Sequence, residues 1–277
     1  MKKFRYILPM AFAFVFGATG AFAVQASLPE PDSLRFEVLL TGKILDSLHI
    51  HEDLVSSIEI TSNQLILLAT SQQFYLLGWG GIVPVGEKQI KPIDSFSYTF
   101  DGNLFVISTN QVCYVDSVGN LSTLFIMSST EMGISTGTNL MYVHERNPEK
   151  NTIYAFSDDG NVERWVTAPR PIMSVLEHDN ILLFSSGNCI FSFNPQNKEL
   201  DALLRIDEDD EILSMSKDEF SNSIYFSTRN AIYRIEKSKF GKIIDSFGGI
   251  IKCYDRSLLV FNTDKKNIIR ICWDKKE

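Results

Sequence analysis

Apolar and polar positions along the chain fall into a repeat. Six apolar stretches share one pattern: Phe74-Tyr75-Leu76-Leu77, Val112-Cys113-Tyr114-Val115, Ile153-Tyr154-Ala155-Phe156, Ile190-Phe191-Ser192-Phe193, Ile232-Tyr233-Arg234-Ile235 and Ile268-Ile269-Arg270-Ile271. Their first residues lie 38, 41, 37, 42 and 36 positions apart, a period that suits four short strands and their turns. Before each comes a strand opened by a polar turn, such as Asn103-Leu104-Phe105-Val106 or Ser223-Ile224-Tyr225-Phe226. Before that stands a strand of small or hydroxyl residues, such as Ser95-Phe96-Ser97-Tyr98 or Gly133-Ile134-Ser135-Thr136. Turns such as Asp116-Ser117-Val118-Gly119-Asn120 lead into a fourth strand. Near-continuous apolar runs fit sheets covered on both faces by their neighbours. The pattern predicts an all-β chain, a six-bladed β-propeller of four-stranded antiparallel blades, with a seven-bladed ring as the alternative. The small residues of the first strands are read as packing where radial sheets converge, not as nucleophiles.

The last repeat ends after Trp273 with no fourth strand of its own. Gly42-Lys43-Ile44-Leu45-Asp46-Ser47-Leu48 closely matches Gly241-Lys242-Ile243-Ile244-Asp245-Ser246-Phe247, the fourth strand of repeat five. It is therefore expected to be the N-terminal strand that completes the last blade. Residues 34–40 also alternate and could form that strand or an extra one. Ring closure by either removes open sheet edges that would template aggregation.

The first 26 residues read as an export signal. Lys2, Lys3 and Arg5 precede an apolar stretch, and Ala21-Phe22-Ala23 and Val24-Gln25-Ala26 both suit a signal peptidase. A periplasmic or secreted protein is expected, with one propeller domain over residues 27–277 and no transmembrane segment after cleavage. Cleavage removes three basic residues and leaves 23 Lys and Arg against 34 Asp and Glu, so the formal charge moves from -8 to -11. So acidic a chain repels phosphate backbones, which argues against nucleic acid as a partner. Cys113, Cys189 and Cys272 fall in the repeated strand of different blades, and Cys253 is placed on a strand not adjacent to that of Cys272. Free thiols are expected rather than a disulfide framework.

Six repeats of this length behind an export signal resemble the six-bladed propeller superfamily that includes NHL-repeat and TolB-like proteins. The resemblance covers residues 34–273 and rests on pattern. Trp273-Asp274 is the sole Trp-Asp pair, against WD40, and Gly-Gly occurs only at Gly80-Gly81 and Gly248-Gly249, against kelch. The superfamily includes metal-dependent lactonases, lyases and non-catalytic interaction scaffolds, so fold alone does not choose among them.

Loops leaving the fourth strand and loops joining strands two and three emerge on one face. Three unusual segments map there. His49-Ile50-His51-Glu52-Asp53, if extended, points both imidazoles to one side beside carboxylates, a weak metal-type cluster. Asp207-Glu208-Asp209-Asp210-Glu211 is a hydrated acidic loop or a docking surface for a cation or a basic partner. Glu145-Arg146-Asn147-Pro148-Glu149-Lys150-Asn151 is the longest excursion, expected to protrude as a contact element. The candidate binding residues are His49, His51, Glu52, Asp53, Glu145, Arg146, Asp207, Asp209 and Asp210. No residue is assigned as catalytic or metal-binding, and no cofactor is expected. His144 and His178 with Glu177 could act as acids or bases, but no third residue at a fixed spacing orients them. The leading expectation is a non-enzymatic exported propeller binding a protein or cell-surface polysaccharide through its loop face. The alternative is a metal-dependent hydrolase or lyase acting on a sugar derivative at the channel mouth.

Overall fold

A computed structural model describes residues 24–25 and 34–273 except 100, 148, 150, 158, 159, 207, 208, 237, 238 and 263. The chain forms six sheets in a ring. Two elements precede the first blade: β1 (Val24–Gln25) and β2 (Leu34–Leu40), followed by a short helix, α1 (Gly42–Ser47). Blade one is β3–β6 (Glu59–Ile60, Ile66–Ala69, Phe74–Gly78, Gly81–Val85), and blade two is β7–β10 (Ser95–Tyr98, Leu104–Ser108, Gln111–Val115, Leu121–Ile126). Blade three is β11–β14 (Met132–Thr136, Leu140–Glu145, Thr152–Ser157, Val162–Thr167). Blade four is β15–β18 (Ile172–His178, Ile181–Ser186, Cys189–Asn194, Glu199–Arg205). Blade five is β19–β22 (Ser214–Asp218, Ser223–Ser227, Ile232–Glu236, Lys239–Ile244), and blade six holds β23–β25 (Ile250–Tyr254, Ser257–Asn262, Asn267–Trp273). Successive strands within each blade are antiparallel neighbours, as the repeat predicts.

Between each pair of adjacent blades lies an apolar wedge. Leu67, Phe74, Phe96 and Val106 join blades one and two, and Leu183, Ile190, Phe226 and Tyr233 join four and five. Both faces of a blade are thereby covered, which is why the strands read as apolar runs rather than strict alternations. Each large side chain so buried contributes about 1.5–3 kcal/mol.

The ring closes through β2, which pairs antiparallel with β25 from Leu34↔Trp273 to Leu40↔Ile268. A bulge between Val38 and Leu40 reverses the facing of the strand's end. Phe36 and Val38 stay exposed, whereas Leu40 is fully buried with Ile58, Leu68 and Ile268 between blades six and one.

The expectation that residues 42–48 form the closing strand is corrected. Gly42–Ser47 is helical, with Thr41 as its N-cap, whose hydroxyl accepts from the Ile44 amide. The chain then stops the helix in a left-handed residue, His49 (φ 58°), and the Ile50 amide donates back to the Leu45 carbonyl at 3.0 Å. Leu45 reaches the blade six–blade one wedge, and Ile50 packs on it. With the edge of β25 already taken by β2, this segment has no ladder to join.

The expected export signal lies outside the described residues apart from Val24–Gln25. These two residues pair in parallel with Lys239 and Phe240, adding a fifth strand to blade five. All four cysteines are free. Among the described residues no helix is long and apolar enough to cross a membrane.

Candidate functional site: the axial channel and its loop face

The innermost strands β3, β7, β11, β15, β19 and β23 line a polar axial channel of about 130 Å³. Their serines tie one blade to the next. Ser57 Oγ lies 3.3 Å from Ser95 Oγ, and Ser97 Oγ is 3.0 Å from Thr136 Oγ1. The Met215 amide donates to Ser174 Oγ at 3.0 Å, Ile251 to Ser214 Oγ at 3.1 Å and Cys253 to Ser216 Oγ at 2.8 Å. Inner strands of neighbouring blades form no ladder with each other, so these hydroxyls satisfy backbone amides that would otherwise lack partners. That gives the small residues a second reason beyond crowding.

Two charged groups meet on the channel wall where the ring closes. Lys252 of blade six donates to Glu59 of blade one, whose other oxygen accepts from Ser97 Oγ at 3.1 Å. Sequence reading passed over both. The signal was a lone charge on an inner strand at a position where blade two carries Ser97.

Blade three departs from the pattern. The ladders set equivalent positions across blades: Ser95↔Ile107, Gly133↔His144, Ser174↔Ser185, Ser214↔Ser227. Only here is the inner residue of these four a glycine, and the space is filled. A Cβ on Gly133 would lie 2.3 Å from His144 Nε2 and 2.5 Å from an Arg146 guanidinium nitrogen. His144 and Arg146, two apart on one extended segment, thus lie side by side over Gly133 and line the channel. His144 is 1% exposed. Burial, and then the adjacent Arg146 charge, hold its imidazole well below the ordinary histidine range, so it is neutral. Burial also lowers Arg146.

The antiparallel strand order places the three singled-out segments on the face expected. His49 and His51 are exposed, with ring centroids 6.1 Å apart. They are not presented by an extended strand, because His49 is the left-handed residue that ends α1. Asp53 pairs with Lys266, which raises the pKa of that lysine, and Glu52 accepts weakly from Ser71 Oγ at 3.4 Å. Asp207 lies outside the described residues. Asp209 is exposed, while Asp210 accepts from Asn230 Nδ2 at 3.1 Å. Glu211 is part-buried, and burial raises its pKa against the opposing effect of Arg170. The acidic run is therefore tied down at its C-terminal end rather than wholly hydrated.

Glu145 and Arg146 do not sit on a protruding tip. Glu145 ends β12 and is 1% exposed, with Oε2 accepting from the Thr152 amide at 3.3 Å. Arg146 points to the channel on the opposite side of the strand. Glu177 is a bridge between blades: its Oε2 accepts from Tyr142 Oη at 2.9 Å and from the Thr138 amide at 3.2 Å. His178 meets Asp179 at 3.5 Å, at the end of β15 away from the loop face. Among the described residues no three His, Cys, Asp or Glu side chains are grouped to hold a metal ion.

The molecule is a six-bladed β-propeller with a narrow polar channel. No family model matches the chain, and no curated protein matches it. Solved structures do. Virginiamycin B lyase from Staphylococcus aureus is 10% identical with a TM-score of 0.65, over 87% of this chain and 99% of that one. A gluconolactonase from Xanthomonas campestris is 8% identical with a TM-score of 0.69, over 88% and 91%. A chain of a nidogen–laminin complex is 10% identical with a TM-score of 0.65, over 74% and 88%. At these identities the likeness is one of fold, and the fold hosts enzymes and binding domains alike.

Proposed function

We propose that this is an exported, non-enzymatic propeller that binds a protein or cell-surface polysaccharide through the face carrying His49, His51, Glu52, Asp53, Asp209 and Asp210. The observation that carries the reading is a division of labour. The inner-strand hydroxyls of Ser57, Ser95, Ser97, Thr136, Ser174, Ser214 and Ser216 are engaged in holding blade to blade. On the face above, His49, His51, Glu52, Asp53 and Asp209 stand exposed on a rigid ring. Membership of one propeller neighbour in a nidogen–laminin complex supports the reading by analogy of fold.

The test is site-specific photocrosslinking in envelope preparations of the producing cell. Probes at His51 and Asp209 should capture one and the same partner, and a probe at Asp101, on the opposite face, should not. Capture from Asp101 alone would move the binding surface. Stoichiometric metal retained by the purified protein, with turnover of a sugar derivative, would replace the reading with a metal-dependent hydrolase or lyase.

A further inference from the structure

We propose that Arg146, with His144 beside it, forms an oxyanion subsite on the blade three side of the channel mouth, taking a single small carboxylate or phosphate group. The proposal does not depend on the partner reading above.

Three observations carry it. First, the Arg146 guanidinium has no hydrogen bond or ion pair among the described residues, and its Nε is buried without a partner. The residue is half-buried and its fork faces the channel, so a group supplied from outside can meet its donors. Second, neither ring nitrogen of His144 has a hydrogen bond of good geometry, and its nearest acceptor is the Met173 backbone, so the neutral ring stands beside the guanidinium without offsetting its charge. Third, the nearby carboxylates are committed elsewhere. Glu59 is held by Lys252 and Ser97, and Glu145 turns the other way onto the Thr152 amide. The Lys252–Glu59 pair cancels in charge, leaving Arg146 as the net positive charge on the channel wall among the described residues.

Gly133 is what makes the subsite possible. Any side chain there would collide with both groups. The planar fork of arginine suits a two-oxygen acceptor, which a carboxylate or phosphate presents and chloride does not. The size also selects. A channel of about 130 Å³ admits an acetate-sized or phosphate-sized group, free or at the end of a larger ligand.

The experiment is thermal unfolding of the mature protein at pH 7 and constant ionic strength. Sodium chloride is exchanged stepwise for sodium acetate or sodium phosphate. The wild type should show, with at least one of the two oxyanions, a rise in Tm that follows the logarithm of ligand concentration above Kd. A rise linear in concentration is the general salting effect of phosphate and counts against the subsite. R146M should lose the logarithmic rise while unfolding in chloride no earlier than the parent, because an unmet cation has been removed. R146K keeps the charge without the fork, and the Kd fitted from its Tm curve should be at least tenfold higher. Absence of a logarithmic rise in the wild type, or an undiminished one in R146M, overturns the proposal. Should R146M fail to fold, R146K decides: a Kd equal to the wild type's overturns it.

Discussion

The bulge in β2 makes a sharp prediction about ring closure. Val38 and Leu40 are two residues apart on one strand and would share a face if the strand were regular. The bulge puts them on opposite sides, Val38 at 58% exposure and Leu40 at 0%. Leu40 sits in the wedge with Leu45, Ile58, Ile66, Leu68 and Ile268, which joins the first blade to the last. Leu40→Ala removes the equivalent of three methylenes, about 2.4 kcal/mol at ~0.8 kcal/mol each. The cavity left behind adds to this, for a total of ~3–4 kcal/mol. Such a loss is a large part of the 5–15 kcal/mol that typically holds a domain together. Val38→Ala on the exposed side should cost within ~0.5 kcal/mol. Equilibrium urea unfolding, with the m-value checked for constancy, measures both. Equal losses for the two variants would refute the bulged register. An L40A loss below ~1 kcal/mol would show that β2 does not seal the ring.

Acid should expose the buried histidine. Unfolding returns His144 to a pKa near 6.5, while in the fold it lies well below, so the unfolded chain binds one more proton as pH falls past ~6.5. This group alone should therefore make stability fall as pH drops below that point. Denaturation of the wild type and H144N across that fall in pH measures it, and parallel profiles would show that His144 is not buried neutral. His49 ends α1 at a positive φ, where a side chain is strained. H49G should therefore raise stability by roughly 0.5–1 kcal/mol, and a loss on urea unfolding would contradict the cap geometry.

The six-fold period, the four strands per blade and the inner-strand serines were legible along the chain, because each blade is built from local hairpins. Local pattern failed where two segments competed for one edge. Gly42–Leu48 and Gly241–Phe247 are near-copies, yet Gly42–Ser47 is a helix while Lys239–Ile244 forms a strand. The second has the edge of β21 to pair with; the first finds β25 occupied by β2. Leu45 in place of the β-branched Ile244 also favours the helix. The candidate site divides the same way. The loop segments were placed on their face by strand order alone, but the channel's charged groups meet across long separations. Glu59 and Lys252 are 193 residues apart and touch only because the ring closes. Arg146 stood out in sequence as part of a loop and His144 as a possible acid or base, but only the ladder register shows that the missing side chain of Gly133 makes room for both. The sequence by itself determined the blades, since their hydrogen bonds lie between neighbours in the chain. Tertiary structure decided which strand seals the ring and which charges face the axis, since those contacts exist only once the six blades are packed.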